Sequence, residues 1–363
     1  MAKVGLVMIV KDEEHVIRRA LQSSLPFVST YVVVDTGSTD ETMRLIQEFY
    51  EENKVSGYLE QRPWVNLGHN RTEALQLCQG RMNWAIMLDA DDTLEGDVPD
   101  PKVWDLSNGV DGYNITLKDA SYIYPRVQCF RIASGWKYVG AVHDCAVCTK
   151  PNAIVGFLEP TIWMVASREG SRNTDPLKYA KDVALLEKEY QNDPTNTRTV
   201  FYLGQSCKDA KMPDEAAKWY LKRTQMWGWA QEIYMSYYNL IKLCQDPVQQ
   251  IEYGWKALEA CPHRLEVTHA LMESRRLCQL PFLQQVYAMA MVATAHAHQP
   301  DDLFAMPWIY DWGFDFELGI LAYWTGHYAI SYEVSRRALK TCPSEYRDQI
   351  VQNVEFARVK RSS

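Results

Sequence analysis

Three apolar runs in the N-terminal part of the chain each end in carboxylates. Residues 4–10 lead into Asp12-Glu13-Glu14, residues 31–34 into Asp35, and residues 84–88 into Asp89-Ala90-Asp91-Asp92. Short apolar runs bounded by polar residues read as buried strands. The space just past the carboxyl ends of parallel strands is where open α/β sheets hold ligands. Hard divalent cations such as Mg²⁺ and Mn²⁺ prefer carboxylate oxygens, and one or two carboxylates suffice when water and substrate phosphates complete the shell. Asp89 and Asp91 therefore make a candidate metal-diphosphate site. Asp-x-Asp alone is common on solvated loops, so the setting of the motif has to carry the argument.

That setting is a strand-helix alternation. The first strand gives way at Lys11-Asp12-Glu13-Glu14 to a helical pattern. After the second, Asp35-Thr36-Gly37-Ser38-Thr39-Asp40-Glu41 precedes apolar Met43, Ile46 and Phe49 at helical spacing. Ser38 or Thr39 is placed to cap that helix, with Glu41 in its first turn. A further helical stretch over residues 71–79 precedes the Asp89 strand. Strands alternating with helices predict a parallel sheet.

Taken in order, Ile9-Val10-Lys11-Asp12-Glu13-Glu14, Val34-Asp35-Thr36-Gly37-Ser38-Thr39-Asp40, Asn70-Arg71 and Asp89-Ala90-Asp91-Asp92 resemble the nucleotide-sugar half of family 2 glycosyltransferases with the GT-A fold. The resemblance spans roughly the first 160 residues, and four ordered motifs are far more specific than one. It implies a UDP-sugar donor held by Val10, Asp12, Glu13, Asp35, Gly37, Arg71, Asp89, Ala90 and Asp91. Asp35 would contact the base, Arg71 the nucleotide and Asp89 the ribose. Asp91, with Asp89 and His143, would hold Mn²⁺ or Mg²⁺.

Further on, Gly140-Ala141-Val142-His143-Asp144 resembles a Gly-x-Val-His-Glu segment of family members that carry helical repeats after the transferase domain. Asp144 stands where Glu is usual, and it is the candidate general base for an inverting transfer, with Asp92 as the fallback. A carboxylate in that role needs hydrogen-bond reach to the acceptor and gains from partial burial. Relatives also place a second His shortly downstream; Thr161-Ile162-Trp163-Met164-Val165-Ala166-Ser167 contains none. Cys145-x-x-Cys148 has no second pair at zinc spacing and reads as part of a strand.

After Gly170-Ser171-Arg172-Asn173-Thr174-Asp175-Pro176 helices take over, with Asp175 before Pro176 as a start signal. Leu177, Ala180, Val183, Ala184, Leu185 and Leu186 supply the expected apolar face of the first helix. Residues 199–206 and 216–221 resemble a tetratricopeptide helix pair, in which Gly204 and Ala216 permit close contact, and a second pair flanks Gly326-His327. Trp219, Tyr220, Trp227, Trp229, Tyr234, Tyr237 and Tyr238 read mainly as interhelical core. The expected organisation is a GT-A domain over 1–168 and an all-α, tetratricopeptide-like domain over 169–363, the latter a surface for an acceptor or for homo-oligomer contacts.

The chain has 363 residues, 47% of them apolar, enough for two cored domains. There is no basic, apolar leader and no apolar stretch long enough to cross a bilayer, so a protein without an integral membrane segment is expected. Nine cysteines without a secretory signal favour a reducing cytoplasm, bacterial or that of a phage or virus host. The net charge of −8 gives no electrostatic push toward nucleic acid or anionic lipid.

The functional expectation is a metal-dependent, inverting hexosyltransferase that acts on a hydroxyl or thiol of a peptide, a glycan or a hydroxylated DNA base. A sugar-nucleotide pyrophosphorylase would carry a Gly-rich signature where Lys11-Asp12-Glu13-Glu14 stands. The remaining alternative is a noncatalytic nucleotide-binding repeat scaffold with a degenerate transferase site.

Overall fold

The computed structural model describes residues 2–118, 123–158, 162–278, 282–294 and 303–361. Thr161, in the stretch read for a second His, lies outside them. The chain divides into two compact units, Met1–Asn192 and Asp193–Ser363.

The first unit is built on a mixed sheet. Its N-terminal half alternates β1 (Val4–Val10), α1 (Ile17–Ser24), β2 (Thr30–Asp35), α2 (Thr42–Glu52), β3 (Tyr58–Gln61), α3 (Leu67–Leu77) and β4 (Trp84–Met87). Strands β1 to β4 are parallel neighbours in the order β3-β2-β1-β4. Val4, Leu6, Met8 and Val10 face one core with Ile17, Ile46 and Phe49, while Val7, Val32 and Val34 face another with Ala74, Leu75 and Cys78. The period-2 alternation of each strand thus feeds two cores, and the sheet carries α1 and α2 on one face and α3 on the other. From β1 the chain proceeds outward through β2 and β3, then returns across the sheet to β4 on the other side of β1. That reversal opens a crevice beyond the carboxyl ends of β1 and β4.

The rest of the sheet is more irregular than the sequence pattern implies. It contains β5 (Thr93–Gly96), β6 (Gly112–Lys118), β7 (Ile123–Arg131), β10 (Val155–Phe157) and β11 (Ile162–Val165), while β8 (Trp136–Val139) and β9 (Cys145–Cys148) form a separate antiparallel hairpin. Strand β7 runs antiparallel to both β4 and β6, so the all-parallel arrangement stops at β4. Cys145 and Cys148 lie at the two ends of β9, both as free thiols.

The unit boundary falls later than the expected 168/169. Both α4 (Ser171–Thr174) and α5 (Lys178–Asn192) remain with the first unit. Ser171 N–H donates to Glu13, and the Glu189 carboxylate lies 3.5 Å from Ala141 N. The expected apolar face of α5 is only partly used. Val183 and Leu186 are buried, but Leu177, Ala180 and Ala184 are exposed, and the buried polar Asp182 pairs with Arg172 instead.

The second unit is helical: α6 (Thr197–Asp209), α7 (Pro213–Thr224), α8 (Ala230–Leu243), α9 (Pro247–Ala260), α10 (Glu266–Cys278), α11 (Leu283–Ala293), α12 (Phe314–Trp324), α13 (Tyr328–Ala338) and α14 (Ser344–Arg361). Small residues set the closest contacts. A Cβ on Gly204 of α6 would stand 2.7 Å from the Tyr220 ring of α7, and one on Gly319 of α12 would stand 2.4 Å from Ser335 Oγ of α13. The two pairs therefore use the same device, as expected of a degenerate tetratricopeptide-like repeat. The aromatic crowd divides: Tyr220, Tyr234 and Tyr237 are core, but Trp227 is 95% exposed. No helix of the described residues is long and apolar enough to cross a membrane.

Candidate active site

The parallel strands bring their terminal acids to one edge. Two of the turns there are latched together: Asp12 accepts from Thr39 N–H at 2.7 Å, and Asp12 N–H donates to Ser38 Oγ at 2.9 Å. Asp12 adopts φ +54°, a left-handed conformation that Asp tolerates better than most residues. Val10 and Ala90 are buried and support the turns from below.

Asp35 is fully buried at the end of β2. Its carboxylate accepts from Gly37 N–H and Ser38 N–H, and from Gln61 Nε2, each at 3.0 Å, while the second oxygen is reached, among the described residues, by Ser38 N–H at 3.3 Å. Gly37 sits at φ +106°, which the turn requires and a side chain would strain. Asp35 shapes this loop and keeps acceptor capacity on one oxygen, since a carboxylate offers about four lone-pair sites.

Beyond β4 the acids face different ways. The Asp89 side chain, part exposed, pairs with Arg71. Burial works against its ionisation, but Arg71, with Arg126 and Arg172 further off, holds it below the usual carboxylate range. Asp91 Oδ2 accepts from Gly170 N–H at 2.8 Å and Asn173 Nδ2 at 3.4 Å. Asp92 is buried, and burial together with the neighbouring Asp89 and Asp91 pushes its carboxyl up to about 8, against Arg126. Glu13 is pushed up to about 7, mainly by burial, with Asp91 and Asp40 adding to it and the Ser171 N–H opposing.

Helix α3 supplies the cation. Asn66 caps it by accepting from His69 N–H at 2.8 Å, and Asn70, fully buried, fixes the preceding loop through Val65 N–H and Pro63 C=O. One residue on, Arg71 is 6% exposed and turns one terminal nitrogen to Asp144 Oδ1 at 2.6 Å and the other to Asp89. Its guanidinium lies 5.5 Å from the centre of the Tyr138 ring. The first turn of α3 docks on the loop that carries Asp144: Leu67 N–H donates to Ala141 C=O, and Thr72 Oγ1 accepts from Tyr138 N–H. Asp144 is buried, and its Oδ2 has no hydrogen-bond partner among the described residues. His143 is exposed at φ +51°, so this loop turns sharply at the expected His-Asp pair.

Sequence reasoning took residues 170–176 as the point after which helices take over, and the structure sets several of them against the strand-end acids. Besides the Gly170 and Ser171 contacts, Ser167 Oγ donates to Asp91 C=O at 2.8 Å and Ser171 Oγ to Lys11 C=O at 3.1 Å. Glu169 pairs with Arg19. A strap of small polar residues thus spans the ends of β1 and β4. Gly-Ser is also ordinary linker composition, so nothing in its own letters separates this role from a linker.

No group of three or more His, Cys, Asp or Glu arranged to hold a metal occurs among the described residues. The donor chemistry nevertheless fits a Mg²⁺ or Mn²⁺ ion completed by phosphate. Asp91 commits Oδ2 to Gly170 and Asn173, and Asp92 and Glu13 add carboxylate oxygens beside it.

Residues 6–103 match Glycosyl transferase family 2. This stretch contains most of β1, all of β2 to β4 and every acid of the crevice up to Asp92, so the first unit carries a domain of that family. An uncharacterized glycosyltransferase from Rickettsia felis is 29% identical over 100 residues, 28% of this chain and 32% of that protein. A TPR repeat-containing protein from Synechococcus elongatus is 34% identical over 95 residues, 26% of this chain and 22% of that protein. The chain thus matches a third or less of the length of these relatives. Among solved structures, S. aureus TarS 1-349 in complex with UDP-GlcNAc aligns over 81% of this chain and 91% of its own, at 14% identity and a TM-score of 0.37.

Proposed function

We propose that the chain is an inverting, metal-assisted glycosyltransferase that moves a sugar from a UDP-sugar to a hydroxyl or thiol acceptor. The observation that carries this reading is the convergence of the family 2 segment's strand-end acids on the crevice beside β1 and β4. Asp35 and Gly37 would hold the base, Val10, Asp12, Glu13 and Ala90 the nucleoside surroundings, Asp89 the ribose, and Asp91 with Asp89 the cation. His143, exposed on the loop beside Asp144, is the third candidate ligand. When bound, the cation would offset charge developing on the departing diphosphate.

The chain's own part is proton transfer and alignment. The Asp144 carboxylate, once open to the acceptor, takes its proton as the acceptor's oxygen or sulfur bonds to the anomeric carbon. On the opposite side the bond from that carbon to the phosphate oxygen breaks, and UDP leaves. One in-line displacement inverts the carbon without a covalent enzyme intermediate. A cytoplasmic site of action is in keeping with the free thiols of the described cysteines.

The test is mass spectrometry of reactions that pair UDP-, GDP- and CMP-sugars with peptide, glycan and hydroxymethylated-DNA acceptors. A hexose-sized mass gain on one acceptor class with release of UDP is expected. Tight UDP binding with no UDP release from any pair would favour the noncatalytic scaffold.

A further inference from the structure

Arg71 is committed in a way that nucleotide binding does not explain. Its two terminal nitrogens are taken by carboxylates from separate parts of the fold, Asp89 just beyond β4 and Asp144 in the loop between β8 and β9. The third, Nε, is buried without a hydrogen-bond partner among the described residues, and the Tyr138 ring lies against the guanidinium. Burial opposes the charge on Arg71, but Asp89 and Asp144 keep it fully protonated. Turning toward a phosphate would leave Asp144, whose side chain is 3% exposed, as a buried carboxylate without its cation.

We propose that Arg71 is a positioning residue: it fixes the Asp144 carboxylate through Oδ1 and ties it to the acids that follow β4. This rests on the reading of Asp144 as the base. A planar guanidinium reaches two carboxylates at once, whereas the single ammonium of Lys does so poorly. The helix is set for the task. Gly68, three residues before Arg71, lets α3 approach so closely that a Cβ there would stand 2.4 Å from Gly140 C=O, on the loop that carries Asp144. Arg71 and Asp144 are thus held by backbone packing as well as by their own ion pair. The chain Asp89-Arg71-Asp144 links the donor end of the proposed site to the group that would act on the acceptor.

The experiment compares wild type, Arg71→Lys, Arg71→Ala, Asp144→Asn and the Arg71→Lys/Asp144→Asn double variant. UDP affinity and the kcat and KM for donor turnover, read as released UDP, are measured for each. A positioning role predicts UDP affinity and donor KM within about threefold of wild type for Arg71→Lys and a fall in kcat of about 100-fold, the scale of a misplaced reacting group. It also predicts that the double variant is no slower than Asp144→Asn alone, and that added guanidinium ion restores part of the kcat of Arg71→Ala. A tenfold or greater loss of UDP affinity at unchanged kcat would make Arg71 a nucleotide ligand and overturn the inference. So would losses that multiply in the double variant. If both Arg71 variants fail to fold while Asp144→Asn folds normally, the bridge is purely structural and the inference fails. A wild type that releases no UDP in any reaction defeats the transferase reading itself, a separate result from an active wild type whose Arg71→Lys variant loses only donor affinity.

Discussion

Gly68→Ala tests whether the α3 approach to the Asp144 loop matters for both fold and chemistry. The added Cβ would lie 2.4 Å from Gly140 C=O, where ordinary contact begins at 3.4 Å, so the helix and loop must part by the difference, 1.0 Å. The obstacle is backbone, and no side-chain rotation relieves it. Overpacking of this kind costs about 1–3 kcal/mol, and the better helix propensity of Ala returns up to about 1 kcal/mol. A net loss of up to about 2 kcal/mol lowers the Tm of a unit this size by up to about 8 °C. The same opening stretches the Arg71–Asp144 contact, now 2.6 Å. An ångström of misplacement can cost about 100-fold in rate, so transfer should fall by about 10- to 100-fold. UDP affinity, set at β1 and β2, should stay within about threefold. Thermal unfolding combined with steady-state kinetics checks both arms. A Gly68→Ala protein with wild-type Tm and wild-type rate would refute the packing argument and weaken the claim that α3 sets the geometry of Asp144.

The remaining predictions concern the acids. EDTA should abolish transfer by the wild type, with Mn²⁺ or Mg²⁺ restoring it, and Asp91→Asn should lose it by at least about 100-fold; full turnover in excess EDTA would defeat the metal assignment. UDP at about 100 times its Kd should stabilise the protein by about 2.7 kcal/mol, more than GDP or CMP at the same concentration, and Asp35→Ala should erase the difference; equal shifts by all three nucleotides would leave the base without a reader. Asp111, fully buried, accepts from Ser134 Oγ, Ile154 N–H and Lys150 Nζ. Burial resists its ionisation, but these partners hold its carboxyl at about 2, below the 3.8 of a free one. Its stabilisation is therefore complete above about pH 4 and is lost as pH falls toward 2. Asp111→Asn should be less stable at neutral pH by about 1–3 kcal/mol and flatter in stability between pH 4 and 2; parallel acid-unfolding curves for the two proteins would rule this out.

What was legible in the sequence follows from range. Strands β1, β2 and β4 announce themselves because each is a local apolar run ending in acid, and a parallel arrangement follows from the helices between them. The small-residue contact at Gly204 was legible for the same reason, being a property of adjacent helices, whereas the matching contact at Gly319 emerges only in the structure. The antiparallel half of the sheet was not. Strand β11 pairs with β5, far upstream in the chain, and nothing in either run names the other. The partners of Asp91 were hidden likewise: Gly170 and Asn173 lie 79 and 82 residues away. Position on the sheet edge was readable for Asp89, and Asp144 was singled out by resemblance, but the direction each carboxylate takes depends on Arg71, whose side chain could not be aimed from sequence alone.

That aim decides how charge is arranged in the crevice. Arg71 compensates Asp89 and Asp144 on one side. On the other, Glu13, Asp91 and Asp92 lie close enough to repel, and burial first, with that repulsion added, raises Glu13 to about 7 and Asp92 to about 8. A nucleotide diphosphate entering such a pocket brings further negative charge against uncompensated carboxylates in a partly desolvated setting, where repulsion is weakly screened. Of the cations at hand, Arg71 is shared by two acids, Arg126 offsets Asp92 in part, and Lys178 acts on Asp91 from a distance. A divalent cation between Asp91 and the phosphates would turn that repulsion into attraction.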